Sequence, residues 1–170
     1  MSARYGAAEL FTGGDAGVSL KKEPVASSQQ PECCVTASDL ETVELGRTIA
    51  RLLPKKACVL LIGNLGAGKT TLAKGIIHGL GFAEPDEVAS PTFTLIHEYG
   101  GGRVYHIDLY RLDKPEQIAT LGLEDIFDRD AVVLIEWGER FPGLLPTQRI
   151  EIRLTAVGAD ERQIEIKTVL

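Results

Sequence analysis

The sequence has no apolar run long enough to cross a bilayer. Its longest uninterrupted run, residues 57–62, has about six residues, against the roughly 20 that a spanning helix needs. No positively charged segment followed by an apolar one opens the chain, so we predict no secretory signal and no membrane association. There are only three cysteines, and their spacing provides neither a disulfide framework nor a zinc site. These absences predict a cytoplasmic protein with reduced thiols.

The sequence also lacks an excess of basic residues: it has 18 Lys and Arg against 24 Asp and Glu, and its net charge is −6. A protein that binds nucleic acid by itself needs a large basic surface to neutralise the phosphates. If RNA is involved, we expect a partner to hold it.

The composition changes near residue 32. Residues 1–32 are rich in Gly, Ser, Gln and Pro and have little periodicity, so they predict a disordered N-terminal tail. Four acidic residues make this segment a poor transit peptide. Residues 33–170 are then one folded domain.

A complete phosphate-binding loop, G-x-x-x-x-G-K-[ST], occupies residues 63–70. Its glycines let backbone N–H groups point at phosphate, Lys69 can reach the β- and γ-phosphates, and the Thr70 hydroxyl can bind Mg²⁺. A buried-strand pattern precedes the loop, and Leu72, Ile76 and Leu80 follow it at helical spacing. Strand, loop and helix therefore come in the required order, and we predict that the chain binds a nucleoside triphosphate.

The preferred base of the nucleotide can be inferred from the scarcity of asparagine. Asn64, inside the loop, is the only asparagine, so the N-K-x-D motif that reads guanine in common GTPases cannot be present. ATP is favoured over GTP.

Two carboxylates are candidates for binding the metal ion and for acting on the water. Glu136 directly follows the apolar strand predicted at residues 131–135, at the sheet edge where open α/β sheets bind ligands; a solvated strand-end acid is the alternative. Asp108 shares the polar face of a predicted strand with His106, and a surface carboxylate on a hairpin is its alternative. His106 itself is expected to be structural.

Between the helix that follows the phosphate loop and the predicted hairpin, Ser90, Pro91 and Thr92 fit equally well a simple turn and a switch that senses γ-phosphate through a hydroxyl.

The remaining pattern predicts an α/β fold: a mixed, P-loop NTPase-like sheet flanked by helices. A capping box, Ser38 with Glu41, starts the first helix. Strands at 92–99 and 103–110 enclose three glycines and predict an antiparallel hairpin. A further helix starts near Pro115 and ends near Gly122. Two late strands, 149–154 and 163–169, alternate apolar with polar residues and suit a sheet edge.

Taken in order, the loop G-N-L-G-A-G-K-T-T (63–71), S-P-T-F (90–93), Y-H-I-D-L-Y-R (105–111) and E-W (136–137) closely resemble the bacterial TsaE (YjeE) family. The resemblance extends over about residues 36–165. It implies a small ATPase required for threonylcarbamoyladenosine modification of tRNA, at the adenosine next to the anticodon in tRNAs that read codons beginning with A. It also implies two partner proteins, TsaB and TsaD, which hold the tRNA and whose repeated turnover needs ATP hydrolysis.

The resemblance implies roles for individual residues as well. Lys69, Asp108 and Glu136 would be catalytic, and Thr70 with Glu136 would hold Mg²⁺. The residues implied to contact ATP are Asn64, Leu65, Gly66, Ala67, Gly68, Lys69, Thr70, Thr71, Thr92 and Trp137.

Two other classes of protein share such a loop. A small-molecule kinase usually closes an arginine-bearing lid over the phosphates, and no compact lid insertion is apparent between Lys69 and Glu136. A module that uses ATP only as a structural ligand would not need two carboxylates.

Overall fold

A computed structural model describes residues 31–170, so all but the last two residues of the predicted tail, 1–32, lie outside the described residues. The elements in chain order are β1 (Glu32–Thr36), α1 (Asp39–Ala50), β2 (Ala57–Ile62), α2 (Lys69–Gly79), β3 (Ile96–Tyr99), β4 (Val104–Asp108), α3 (Pro115–Ala119), α4 (Leu123–Phe127), β5 (Val132–Glu136), β6 (Arg149–Ala156) and β7 (Arg162–Val169). Two short 3₁₀ turns, Gly138–Arg140 and Pro142–Leu144, follow β5.

The strands form one mixed sheet in the order β1-β7-β6-β2-β5-β4-β3. The centre, β6-β2-β5-β4, is parallel, and both flanks are antiparallel. The predicted α/β class, mixed sheet and hairpin are confirmed. The late strands, however, are not edges: β1, which the sequence analysis did not predict, adds outside β7.

Side chains alternate across the central strands, so the sheet separates two apolar layers. Val59 and Leu61 of β2 face α1 and α2. Leu60 and Ile62 face the layer that contains α3 and α4. All four side chains are 5% exposed or less. Because both faces are covered at the middle of the sheet, β2 and the first four residues of β5 are continuous apolar runs.

The first helix begins as predicted. Ser38 Oγ accepts a hydrogen bond from Glu41 N at 3.1 Å. The Glu41 carboxylate accepts one from Ala37 N at 2.8 Å, one residue before the N-cap that a standard capping box uses. Within residues 31–170, no helix is both long and apolar enough to cross a membrane.

Three predicted elements are shorter than expected, and one of them, the second hairpin strand, covers only Val104–Asp108 of the predicted 103–110. The first hairpin strand begins at Ile96, because residues 92–95 form a turn in which Leu95 has φ 67°, a conformation that strands do not contain. The helix predicted from Pro115 to Gly122 ends at Ala119. Gly122, at φ 68°, is instead the N-cap of a second short helix, α4.

Candidate nucleotide-binding site

The predicted phosphate-binding loop joins β2 to α2 at the carboxyl end of the parallel strands. Gly66 and Gly68 have φ 78° and 100°, values that favour glycine. Gly68 is the N-cap of α2 and supplies no side-chain cap, so the first N–H groups of the helix are free for an anion. Gly63 serves packing instead, since a Cβ there would lie 2.6 Å from Leu154 O.

Lys69 is 4% exposed and folds back over the loop. Its Nζ donates to Gly63 O at 2.6 Å and to Asn64 O at 3.0 Å. The same Nζ lies 4.2 Å from the centre of the Trp137 ring, within the range of a cation–π contact. Burial lowers the pKa of Lys69, while nearby carboxylates, Glu136 first among them, act in the opposite direction.

Glu136 and Asp108 lie side by side. They are register partners on the parallel strands β5 and β4, and each is 3% exposed or less. Glu136 is therefore not a solvated strand-end acid, and Asp108 is not a surface carboxylate on a hairpin. Thr70 Oγ1 donates to Glu136 Oε1 at 2.9 Å, which joins the two residues predicted to hold Mg²⁺. The described residues contain no group of three or more His, Cys, Asp or Glu placed to bind a metal by themselves.

The Ser90 and Thr92 hydroxyls converge on Asp108. Both donate to Oδ2, at 2.7 and 2.9 Å, and the backbone N–H of Tyr110 donates to Oδ1 at 2.8 Å. The segment predicted as either a turn or a switch is thus bonded to a carboxylate of the site. These bonds span 18 and 16 residues, and nothing in the local sequence indicates them.

Other predicted contact residues surround the loop at different depths. Leu65 is exposed and Ala67 is buried, while Thr71 lies half-buried in the first turn of α2. Trp137 follows Glu136 with φ 65°, unusual for a residue with a side chain, and its ring centre is 5.1 Å from that of Tyr110.

Two further groups lie at the site, His106, which was expected to be structural, and Glu139, which the sequence analysis did not single out. His106, expected to be structural, is fully buried, and its Nε2 lies 2.8 Å from Glu136 Oε1. Glu139 has a buried Oε2 that finds no hydrogen-bond partner among residues 31–170. Burial raises the pKa of Glu139, and the charge of nearby Lys69 counteracts part of that shift. The one signal in the sequence concerned His106, which shares the polar face of its predicted strand with Asp108.

Known proteins resemble this chain over most of its length. The sequence profile of the family described as "Threonylcarbamoyl adenosine biosynthesis protein TsaE" matches residues 36–164. Proteins named "tRNA threonylcarbamoyladenosine biosynthesis protein TsaE" are similar to it in Haemophilus influenzae (39% identity; 75% of this chain, 84% of the relative) and in a Nostoc species (44%; 74% and 78%). The Bacillus subtilis relative is 38% identical over 79% of this chain and 84% of its own length.

A solved structure agrees with these matches. The crystal structure of Bacillus subtilis YdiB superposes with a TM-score of 0.68 and 31% identity, over 85% of this chain and 90% of that one. With the profile and the relatives, this likeness is decisive: the chain belongs to the TsaE family of threonylcarbamoyl adenosine biosynthesis proteins.

Proposed function

We propose that this protein is a P-loop ATPase that supports threonylcarbamoyladenosine modification of tRNA, at the adenosine next to the anticodon in tRNAs that read codons beginning with A. In this proposal, ATP hydrolysis allows repeated turnover of a complex of TsaB and TsaD, and the tRNA is held through that complex. The protein would then work in the cytoplasm, where tRNA is modified. The observation that carries the proposal is the convergence of Lys69, Thr70, Asp108 and Glu136 at one end of the sheet.

The oxygens at the end of β5 suit Mg²⁺. Magnesium keeps several waters and usually takes one or two protein oxygens together with substrate phosphates. The Thr70 hydroxyl and the Glu136 carboxylate, 2.9 Å apart, provide such a pair, and the absence of a larger ligand cluster within residues 31–170 is compatible with it. When bound, the ion would neutralise charge on the β- and γ-phosphates.

The other residues have separate tasks. Lys69 would exchange its bonds to Gly63 O and Asn64 O for bonds to phosphate, and its burial strengthens that interaction because the local dielectric is low. Asp108, a buried carboxylate already bonded to two switch hydroxyls, would hold the water that attacks the γ-phosphate. ATP is preferred to GTP because no guanine-reading motif is possible with a single asparagine.

A small-molecule kinase is the alternative. Between Lys69 and Glu136 the arginines are Arg103, Arg111 and Arg129. Arg129 is engaged with the Tyr105 hydroxyl at 2.7 Å, and the Arg111 guanidinium lies 4.9 Å from the centre of the Phe93 ring. Neither contact resembles a lid closed over phosphates, so hydrolysis is favoured over transfer.

Phosphate release measured with and without TsaB and TsaD tests the proposal. We expect release of inorganic phosphate that depends on the partners, and multiple rounds of tRNA modification only when ATP is hydrolysed. Lys69→Ala should lower both rates about 10²–10³-fold, because it removes a charge from the phosphates. Lys74→Ala, further along α2, is the matched control. Full activity of Lys69→Ala would refute the proposal, and radiolabel transferred to a small acceptor would favour the kinase.

A further inference from the structure

His106 is a buried imidazole whose ring has one hydrogen-bond partner among the residues that the structure describes. Its side chain is 0% exposed, and its Nε2 lies 2.8 Å from Glu136 Oε1. Its Nδ1 is also buried and has no partner among residues 31–170. The bond joins two neighbouring parallel strands, β4 and β5, and spans 30 residues of sequence.

These contacts select one tautomer of the ring. A carboxylate oxygen only accepts, so Nε2 must carry the proton that His106 donates to Glu136. Placing a proton on Nδ1 would bury a donor without an acceptor, which costs more than leaving a lone pair unpaired. The imidazole is therefore built as an Nε2–H donor aimed at the carboxylate.

Both donors to Glu136 bond the same oxygen. Thr70 Oγ1 and His106 Nε2 donate to Oε1 at 2.9 and 2.8 Å, while Oε2 accepts no hydrogen bond from the part of the chain that the structure describes. Two bonds to one oxygen fix the rotation of the carboxylate plane, because turning it would break both. The free oxygen is then always Oε2.

We propose that His106 is a positioning residue that locks the Glu136 carboxylate, so that Oε2 is held ready for a magnesium ion or its bound water. This inference rests on the proposed function, in which Glu136 serves the cation. Outer-shell partners of metal ligands generally orient the ligand, and their loss typically costs about 10–100-fold in metal affinity or activity.

The test compares two amides at one position. In His106→Gln the amide nitrogen can occupy the place of Nε2 and keep the bond to Glu136. In His106→Asn the side chain is one methylene shorter, so its amide overlies Nδ1 and cannot reach Oε1. Both variants put a neutral polar group into the same buried space, and they differ in that one hydrogen bond.

The readout is the Mg²⁺ dependence of the melting temperature in saturating ADP, which needs no turnover. A bound ligand raises stability by RT ln(1 + [L]/Kd), so the curve reports the half-saturating Mg²⁺ concentration. We expect that concentration to rise about tenfold or more in His106→Asn and to stay near the parent value in His106→Gln. ADP alone should stabilise both variants as it does the parent. Tyr105→Phe, which removes a partly buried hydrogen bond of β4, should leave the Mg²⁺ curve unchanged.

Equal Mg²⁺ curves for His106→Asn and the parent would overturn the inference, as would equal curves for the Gln and Asn variants. A long-range ¹H–¹⁵N spectrum of the unmutated protein gives an answer even if a variant fails to fold: an Nδ1–H tautomer would refute the assignment. If the unmutated protein shows no stabilisation by Mg²⁺ with nucleotide, the proposed function fails first, and the inference falls with it.

Discussion

At the scale of single residues, Asp108 connects three parts of the site. It lies beside Glu136 in the sheet and accepts hydrogen bonds from the Ser90 and Thr92 hydroxyls and from Tyr110 N. A carboxylate with this many donors is held in one rotamer. In the proposed function this carboxylate would orient the attacking water, and its bonds to Ser90 and Thr92 would couple that segment to the γ-phosphate.

Asp108→Asn should separate nucleotide binding from turnover. The shape of the side chain is kept, and the neighbouring Ile107 is fully buried, so the register of β4 should persist. An amide cannot accept a proton or oppose the charge of a cation, so hydrolysis should slow about 10²-fold or more while ATP affinity changes little. Single-turnover kinetics and equilibrium titration measure the two effects. Normal repeated tRNA modification by this variant would make Asp108 a structural carboxylate.

The cysteines provide a second prediction at this scale. Cys33 is exposed, whereas Cys34 and Cys58 are buried, and burial raises the pKa of each buried thiol to about 12. At pH 8 their thiolate fraction is then about 10⁻⁴, and the thiolate is the reactive form.

A disulfide reagent should therefore modify one of the three thiols in the native protein and all three in denaturant. Cys33→Ser should abolish the native reaction. Rapid modification of a second thiol would show that β1 or β2 opens readily.

At the scale of elements, the first two helices meet through glycine. A Cβ at Gly46 of α1 would lie 2.5 Å from Leu72 O, and one at Gly75 of α2 would overlap Val43 O. The backbones therefore approach more closely than any larger residue allows. This contact fixes α2, and with it the free N–H groups at its first turn.

Gly75→Ala should destabilise the protein even though alanine is the better helix former. Helix propensity favours alanine by about 1 kcal/mol, but overpacking against a fixed backbone costs about 1–3 kcal/mol. We expect a melting temperature several degrees lower, measured by circular dichroism. Gly143→Ala, where a Cβ would meet nothing within 4 Å, is the control and should change stability by less than about 0.5 kcal/mol. A stabilised Gly75→Ala variant would mean that α1 can move aside.

The elements also show what sequence patterns can predict. The phosphate loop and Glu136 come at the ends of short apolar strands, and Asp108 lies on the polar face of a predicted strand, so local periodicity and a motif were enough to locate them. The strand β1 has five residues and follows a segment without pattern, and it exists because β7 offers it an edge. The bonds from Ser90 to Asp108 and from His106 to Glu136 likewise join distant segments. Such pairings depend on the tertiary fold, which local propensity does not determine.

At the scale of the whole molecule, the net charge bears on which of the proteins in the proposed function binds the tRNA. The chain carries −6, whereas proteins that bind nucleic acid by themselves gain affinity by releasing counterions from phosphates. The proposed function needs no such affinity, since TsaB and TsaD would hold the tRNA. Lys69, the one basic residue among the predicted site residues, is buried, so it does not attract a polyanion at long range.

The full chain alone should therefore bind tRNA more weakly than ordinary non-specific binders, with a Kd above about 10⁻⁴ M at physiological salt. Anisotropy of labelled tRNA, titrated at about 50 and 200 mM salt, measures this, because neutralised phosphates appear as a slope against salt. The TsaB–TsaD pair is the control and should retain tRNA whether or not this chain is present. Micromolar binding by the chain alone, with a steep salt slope, would mean that it contacts tRNA directly through a local basic surface. Its ATP cycle would then act on the substrate as well as on the partners.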